Sequence, residues 1–517
     1  MARRESLCKE KNGVAASSVL FSASFFCINR DRYAARRSIG EDIVNRADAG
    51  TATAPTDAAQ HRAYSISWNL TQRCNLHCAH CYMSAHSGAD ISWELSTAEC
   101  QRVMHDIAQV NPEALLILTG GEPLVRKDIF DLASYASDIG FTVVLGTNGV
   151  LLREAEAKRM RQSGIQGASI SLDSVDAARH DAFRRLPGSW DAAVRATQVL
   201  SAEGLDFSIH NSITDWNADE MPAMIDLARD LGARVLNFFF LVRTGRGADL
   251  TDITPPRYEQ LLTSIAYAQG VGQDGRASTA GAQPPGTQYL EDPWSVPAGR
   301  AGDMVIRAKC APHLRRILYE LAPQSPLLQN YAQGSCPAGK HYCRITPTGD
   351  VTPCPYMPVS AGNVRQQPFA EIWRNAQPMQ DLRQPQLGGR CGSCEFSKIC
   401  GGCRCRAYAT HGDYLAEDPA CAYEPGQHGG EVITLSEEQT FGFDATFTLV
   451  WSEAAQARLK RLPSFARGMV AKGVERYAKE NGLSVITPEV MQAVRERAEQ
   501  RYGRRFNFRS FFRGQSS

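Results

Sequence analysis

Three cysteines stand close together in the run Cys74-Asn-Leu-His-Cys78-Ala-His-Cys81. Thiolates on so short a loop can hold three irons of a [4Fe–4S] cube. The fourth iron is then open to a small ligand that chelates through an amino and a carboxylate group. Zinc is the other metal this spacing admits, with His77 or His80 closing a set of four ligands. A second field follows: Cys336, Cys343 and Cys354, then Cys391-x2-Cys394-x5-Cys400-x2-Cys403, Cys405 and Cys421. Sixteen cysteines in 517 residues, most of them in tight groups, point to metal rather than disulfides in so long a chain. Cluster ligation requires reduced thiolates, so a cytoplasmic location is expected.

The elements around these residues alternate. Tyr64–Leu70, Ala114–Thr119, Thr142–Gly146, Ala168–Leu172, Asp206–Ile213 and Val235–Val242 read as strands. Helical patterns lie between them at Thr97–Gln109, Lys127–Ile139, Leu152–Gln162, Trp190–Ala202 and Ala218–Leu231. Such alternation requires parallel pairing through right-handed crossovers, and six units predict an α/β fold, a partial (β/α)6 TIM-like barrel. The cysteine run, Thr119-Gly120-Gly121-Glu122-Pro123, Thr147-Asn148-Gly149 and Ser171-Leu172-Asp173 each follow a predicted strand. Those carboxyl ends build the active site of parallel barrels.

On these motifs the chain resembles the radical S-adenosylmethionine (SAM) superfamily over about residues 64–250. The resemblance implies reductive cleavage of SAM at the cluster of Cys74, Cys78 and Cys81, yielding a 5′-deoxyadenosyl radical. It implies SAM binding by Gly120, Gly121, Glu122 and Pro123, by Thr147 and Asn148, and by Ser171 and Asp173, with Arg184 or Arg185 helping to position the cofactor. Glycines let backbone approach a ligand, and the Glu122 carboxylate can accept from an ammonium group.

The later cysteines resemble the SPASM extension of that superfamily, which carries auxiliary [4Fe–4S] clusters. By that pattern Cys336, Cys343, Cys354 and Cys403 hold one cluster, and Cys391, Cys394, Cys400 and Cys421 the other. The family often has three residues where Cys400 and Cys403 have two, so Cys405 is an alternative to Cys403. One auxiliary cluster with three protein ligands is a further alternative, and two structural zincs another.

Phe238-Phe-Phe-Leu-Val-Arg-Thr-Gly-Arg-Gly247 and Lys309-Cys310-Ala-Pro-His313-Leu-Arg-Arg316 resemble segments of members that edit tetrapyrroles. These are the decarboxylating heme synthase and the enzyme of d1-type heme synthesis. Arg243 and Arg246 suit substrate carboxylates or a solvated loop equally. Cys310 and His313 suit a substrate iron or buried packing. Residues from Trp451 to Val490 resemble the small helical domain of the dark protochlorophyllide reductase B subunit. A tetrapyrrole side chain is therefore the expected substrate, its oxidative decarboxylation the expected outcome, and flavodoxin or ferredoxin the expected electron donor. A ribosomal-peptide maturase is the alternative, and a zinc-binding interaction scaffold the alternative of another class.

A formal net charge of +1 argues against nucleic-acid partners, and the absence of a long apolar run against a membrane span. Val14 to Phe26 mimics a secretory signal after a basic start, without a clean cleavage site. The expected layout is an extension at 1–60, disordered or from a misassigned start. A radical SAM core follows at 61–265, a linker at 266–305, an Fe–S region at 306–425, a linker at 426–447, a helical domain at 448–500 and a tail at 501–517.

Overall fold

The computed structural model describes residues 61–271, 304–328, 330–331, 336–436, 440–441, 445, 447–462 and 464–502. The expected extension at 1–60, most of the 266–305 linker and most of the tail lie outside them. Seven parallel strands form the core: β1 (Ser65–Asn69), β2 (Leu115–Thr119), β3 (Thr142–Thr147), β4 (Ile165–Ser171), β5 (Asp206–Ile213), β6 (Val235–Phe240) and β7 (Val305–Lys309). They pair in sequence order. The sequence pattern predicted six. β7, Val-Ile-Arg-Ala-Lys, was hidden because its inner-face positions carry charges, and it follows a long Gly- and Pro-rich stretch. The helix α1 (Pro255–Ala268) precedes it. This helix was missed too, although Tyr258, Leu261, Leu262 and Ile265 bury one stripe of it at helical spacing.

On the other edge, β8 (Tyr342–Ile345) adds parallel to β1, and β9 (Asp350–Thr352) and β10 (Gly362–Asn363) follow antiparallel. The cysteine-rich region thus extends the same sheet, which ends at β10 on one side and β7 on the other.

One face of the sheet packs on helices and supplies the main core: Ile66, Trp68, Leu116, Leu118, Val143, Ile170, Ile209, Leu236, Phe238 and Ile306 are all buried there. Alternation then turns Ser67, Asn69, Thr119, Gly146, Ser171, His210, Asn237 and Lys309 to the inner face. The helix at Thr97–Ala108 opens with a reciprocal cap. The Ser96 N–H donates to Glu99 at 2.8 Å and the Glu99 N–H to the Ser96 hydroxyl at 3.3 Å, a motif that stabilises by about 1 kcal/mol.

Helices at Glu453–Lys460, Ser464–Glu480 and Pro488–Tyr502 close over a separate core of Trp451, Leu459, Val474, Ile486 and Met491. The buried Glu475 carboxylate accepts from the Trp451 indole N–H at 2.8 Å and from the Thr448 N–H. The Ser464 hydroxyl donates to the Glu113 carbonyl at 3.2 Å, and Arg467 pairs with the Glu113 carboxylate. Among the described residues no helix is long and apolar enough to cross a membrane.

Candidate active site and cluster-binding cysteines

Cys74 and Cys78 are buried and Cys81 half-buried on the loop after β1. Burial pushes the Cys74 thiol up to about 12 and the Cys78 thiol up as well. Iron must therefore displace protons as it binds. The loop is gripped from three sides. Gly121 and Glu122 donate their N–H groups to the carbonyls of Thr71 (2.7 Å) and Arg73 (2.9 Å). Asn148 donates through Nδ2 to Asn75 at 2.8 Å, with that nitrogen 3.9 Å from the Cys74 sulfur. Arg246 donates its backbone N–H to the Cys81 carbonyl (3.0 Å) and its guanidinium to the carbonyls of Cys78 (2.8 Å) and Ala85 (3.0 Å).

Sequence left Arg246 open between a substrate carboxylate and a solvated loop; in the structure it straps the cysteine loop. Arg243 is exposed and bound to its own loop at the Ala248 carbonyl. Gly245, at φ +55°, lets the strap lie flat, since a Cβ there would sit 2.5 Å from the Cys81 and Tyr82 carbonyl oxygens. Gly121 is as tight: its Cβ would meet the Arg73 carbonyl oxygen at 2.3 Å and the Cys74 Cβ at 2.9 Å. Gly121→Ala is expected to displace the cysteine loop. Iron analysis should show the first cluster lost and the auxiliary iron kept, and full iron retention would refute the close-packing argument.

Glu122 is fully buried. Its carboxylate accepts from the Thr147 hydroxyl (2.8 Å), the Asn148 N–H (2.9 Å) and the Leu124 N–H (3.1 Å). Burial raises its carboxyl to about 7 against the pull of these donors. The carboxylate thus braces the second motif against the third. What the Gly120-Gly121 backbone still offers a cationic amino group is its carbonyls. The Thr147 hydroxyl is engaged by Glu122 and by the Gly149 N–H (3.1 Å), and Pro123 opens a short 3-10 turn.

Ser171, at the end of β4, is half-buried, and no described residue hydrogen-bonds its hydroxyl. Asp173 is fully buried and salt-bridged to Arg184 at 2.6 Å. Its second oxygen accepts from the Ser212 N–H at 2.9 Å. Burial pushes its carboxyl up, but Arg184, His80 and His180 outweigh that and hold it at about 2. Arg184 also reaches to 3.8 Å from the Cys78 sulfur. Of the two arginines suggested by sequence, Arg184 enters the site and Arg185 is exposed. Asn217, which sequence reading missed, donates to the carbonyls of Asp173 (2.7 Å) and Ser212 (2.9 Å).

His77 is exposed, and the His80 ring stacks on Phe183 at 4.6 Å. His80 is thus a packing residue.

The remaining cysteines form two sets. Cys391, Cys394, Cys400 and Cys421 line one recess together with His313, Arg316 and Tyr423. Four thiols around one recess match the donor set of a [4Fe–4S] cube. In the other set Cys403 contacts Cys310 and Cys405, Cys405 contacts Cys354, and Cys336 lies within the field of Cys403 and Cys354.

Cys343 falls outside both sets, contrary to the sequence pattern. The register of β8 sets it opposite Ile66, so both turn to the helix-packed face, where Cys343 is fully buried. Cys310 takes its place in the group, because β7 ends beside that set. The structure therefore gathers five cysteines there, Cys310, Cys336, Cys354, Cys403 and Cys405.

Between the two sets lies a buried network that sequence reading also missed. Asp418 accepts from the Cys403 N–H (2.6 Å) and from Arg406 (3.1 Å), and its own N–H points at the Cys391 sulfur at 3.4 Å. His313 Nε2 lies 3.2 Å from Asp418, which removes it from the substrate-iron role. Arg406 further donates to the carbonyl of Cys310 (3.0 Å) and to the Tyr258 hydroxyl (2.7 Å). The sequence signal was available, since Arg406 follows Cys405 directly and Asp418 stands three residues before Cys421.

A profile of the radical SAM superfamily matches residues 68–228, and one of the SPASM iron–sulfur cluster-binding domain matches 336–395. The chain is 36% identical over 371 residues to the AdoMet-dependent heme synthase of Methanosarcina barkeri, covering 70% of this chain and 97% of that protein. This chain belongs to the radical SAM superfamily. It is an enzyme that uses SAM, a [4Fe–4S] cluster and auxiliary iron–sulfur clusters, which sets aside the zinc-scaffold alternative.

Two further relatives are the pre-heme d1 synthase of Dinoroseobacter shibae, 32% identical over 376 residues (70% and 87% of the two chains), and the mycofactocin maturase MftC of Mycolicibacterium smegmatis, 32% identical over 362 residues (69% and 82%). The structure of Streptococcus suis SuiB bound to S-adenosylmethionine shares the fold, with a TM-score of 0.52 at 14% identity over 70% of this chain and 78% of that one. The proto-chlorophyllide reductase 57 kD subunit family matches residues 451–495 of this radical SAM enzyme.

Proposed function

We propose that this radical SAM enzyme removes a carboxyl group from a tetrapyrrole side chain by oxidative decarboxylation. The observation that carries this reading is the identity with an AdoMet-dependent heme synthase along 97% of that protein's length. The C-terminal match to a protochlorophyllide reductase subunit points to the same class of ligand.

When bound, the open-cornered cluster and SAM supply a one-electron cleavage that provides a hydrogen-abstracting radical, and the auxiliary clusters supply an electron acceptor. Cys74, Cys78 and Cys81 hold the first cluster. The Gly120 and Gly121 carbonyls and the Ser171 hydroxyl orient the amino and carboxylate ends of SAM. Glu122, Asn148, Asp173, Arg184 and Arg246 fix the loops that carry them. Cys391, Cys394, Cys400 and Cys421 hold one auxiliary cluster, and four of the five gathered cysteines the other.

The net change is loss of one hydrogen atom and one electron from the side chain. Its carbon–carboxylate bond breaks, carbon dioxide leaves and a vinyl group remains. A flavodoxin- or ferredoxin-like donor supplies the electron for SAM cleavage, and a cytoplasmic location keeps the cluster-binding thiols reduced.

Anaerobic incubation with SAM, dithionite and iron porphyrins or sirohemes bearing propionate groups, read by mass spectrometry, tests this. Successive loss of carboxyl groups is the expected result. The mycofactocin maturase relative supports a second reading, peptide maturation. Unchanged porphyrins together with modification of a peptide encoded beside this chain would replace the first reading by the second.

A further inference from the structure

The inner face of the sheet carries a row set by register: Ser171 opposite His210, His210 opposite Asn237, and Asn237 opposite Arg307. One step nearer the carboxyl ends lie Ser212, Phe239 and Lys309, again opposite one another. The neighbours Ile170, Ile209, Leu236, Phe238 and Ile306 turn to the helix-packed core, so strand alternation fixes the inward direction of both rows. The His210 and Phe239 rings are 4.9 Å apart.

Lys309 is half-buried at the end of β7. Among the described residues it makes no hydrogen bond or ion pair. The charges that bear on it are the Arg307 guanidinium and Cys310, with no carboxylate among them. A half-buried ammonium with no anion against it is unfavourable until one joins it.

Its place in the fold says which anion. On one side His210 shares the field of Asp173 and Arg184, and Arg184 reaches the Cys78 sulfur. On the other side the next residue, Cys310, contacts Cys403 of the nearer auxiliary set. Lys309 thus stands between the site that produces the radical and the site that accepts the electron. A substrate must lie there to meet both.

We propose that Lys309 docks a substrate carboxylate, with Phe239 and His210 forming the wall against which an aromatic macrocycle lies. The class of ligand this corner fits is a flat, largely apolar ring with anionic side chains. The assignment deepens the proposed function and rests on it.

The test uses the full-length, anaerobically reconstituted enzyme and an iron porphyrin bearing four propionates, titrated by visible absorbance. Lys309→Met is expected to weaken binding by about 10- to 100-fold, the scale of one charge-assisted hydrogen bond. Lys309→Arg is expected to remain within about threefold of the parent, because it keeps the charge and a donor for the carboxylate. Iron content and thermal midpoint confirm that each variant is folded and loaded. Parent-like binding by Lys309→Met overturns the assignment, and so does equal weakening by Met and Arg, which marks a packing role. If the parent itself neither binds nor converts the porphyrin, the proposed function falls and takes this assignment with it. Conversion by the parent with undiminished binding by Lys309→Met removes this assignment alone.

Discussion

Replacing Cys74, Cys78 and Cys81 together by serine is expected to abolish deoxyadenosine formation while the protein keeps about eight of about twelve irons per chain. The three thiols sit on one loop after β1 and form their own buried cluster of side chains. The other two sets are held by different chain segments and different partners: the Asp418–Arg406 network and the aromatic side chains Phe396 and Tyr423. Loss of the first cluster therefore leaves the others structurally supported. Serine hydroxyls are poor iron ligands at neutral pH because they do not ionise as thiols do. The readouts are iron and sulfide per chain and chromatographic detection of deoxyadenosine. Deoxyadenosine formed at the parent's rate by the triple variant would remove the basis for placing SAM cleavage at this loop.

Arg184→Met is expected to destabilise the fold by about 3–5 kcal/mol, the usual cost of stranding one member of a buried ion pair. Arg184 is the salt-bridge partner of Asp173, at 2.6 Å, and Asp173 is fully buried. His80, 3.9 Å away, is held down to about 4 chiefly by its burial and so brings no compensating charge near neutral pH. The same arginine approaches the Cys78 sulfur, so its loss is also expected to weaken retention of the first cluster. Adding Asp173→Asn to Arg184→Met removes the stranded charge and should recover part of the stability, because the two residues are directly coupled. Denaturant or thermal unfolding of the parent, both singles and the double measures this. Strict additivity of the two changes would show that the pair does not hold the strand-four loop in place.

The alternation of strand and helix patterns from β1 to β6 was legible without the structure, and so was the position of each motif just after a strand. Both follow from local periodicity and from glycines that only tight backbone contacts require. The cysteine triplet announced its chemistry because all three ligands lie within eight residues, where chain connectivity alone brings the sulfurs together. The set Cys391, Cys394, Cys400 was legible for the same reason.

What the sequence could not convey depended on pairing between distant segments. Cys343 and Cys310 exchanged roles because the register of β8 against β1 decides which face a cysteine occupies, and no local pattern contains that register. From sequence Arg246 suited a substrate carboxylate or a solvated loop equally. Only the fold brings its loop within hydrogen-bonding distance of the Cys78 carbonyl, 168 residues earlier. Glu122 likewise showed no sign in sequence of the bonds it accepts from Thr147 and Asn148, which bind two motifs together. Local spacing therefore determined which chemistry this protein carries. Tertiary structure decided which side chains perform it and which brace them, because a side chain's role depends on the face it is turned to and on the partners already bonded to it.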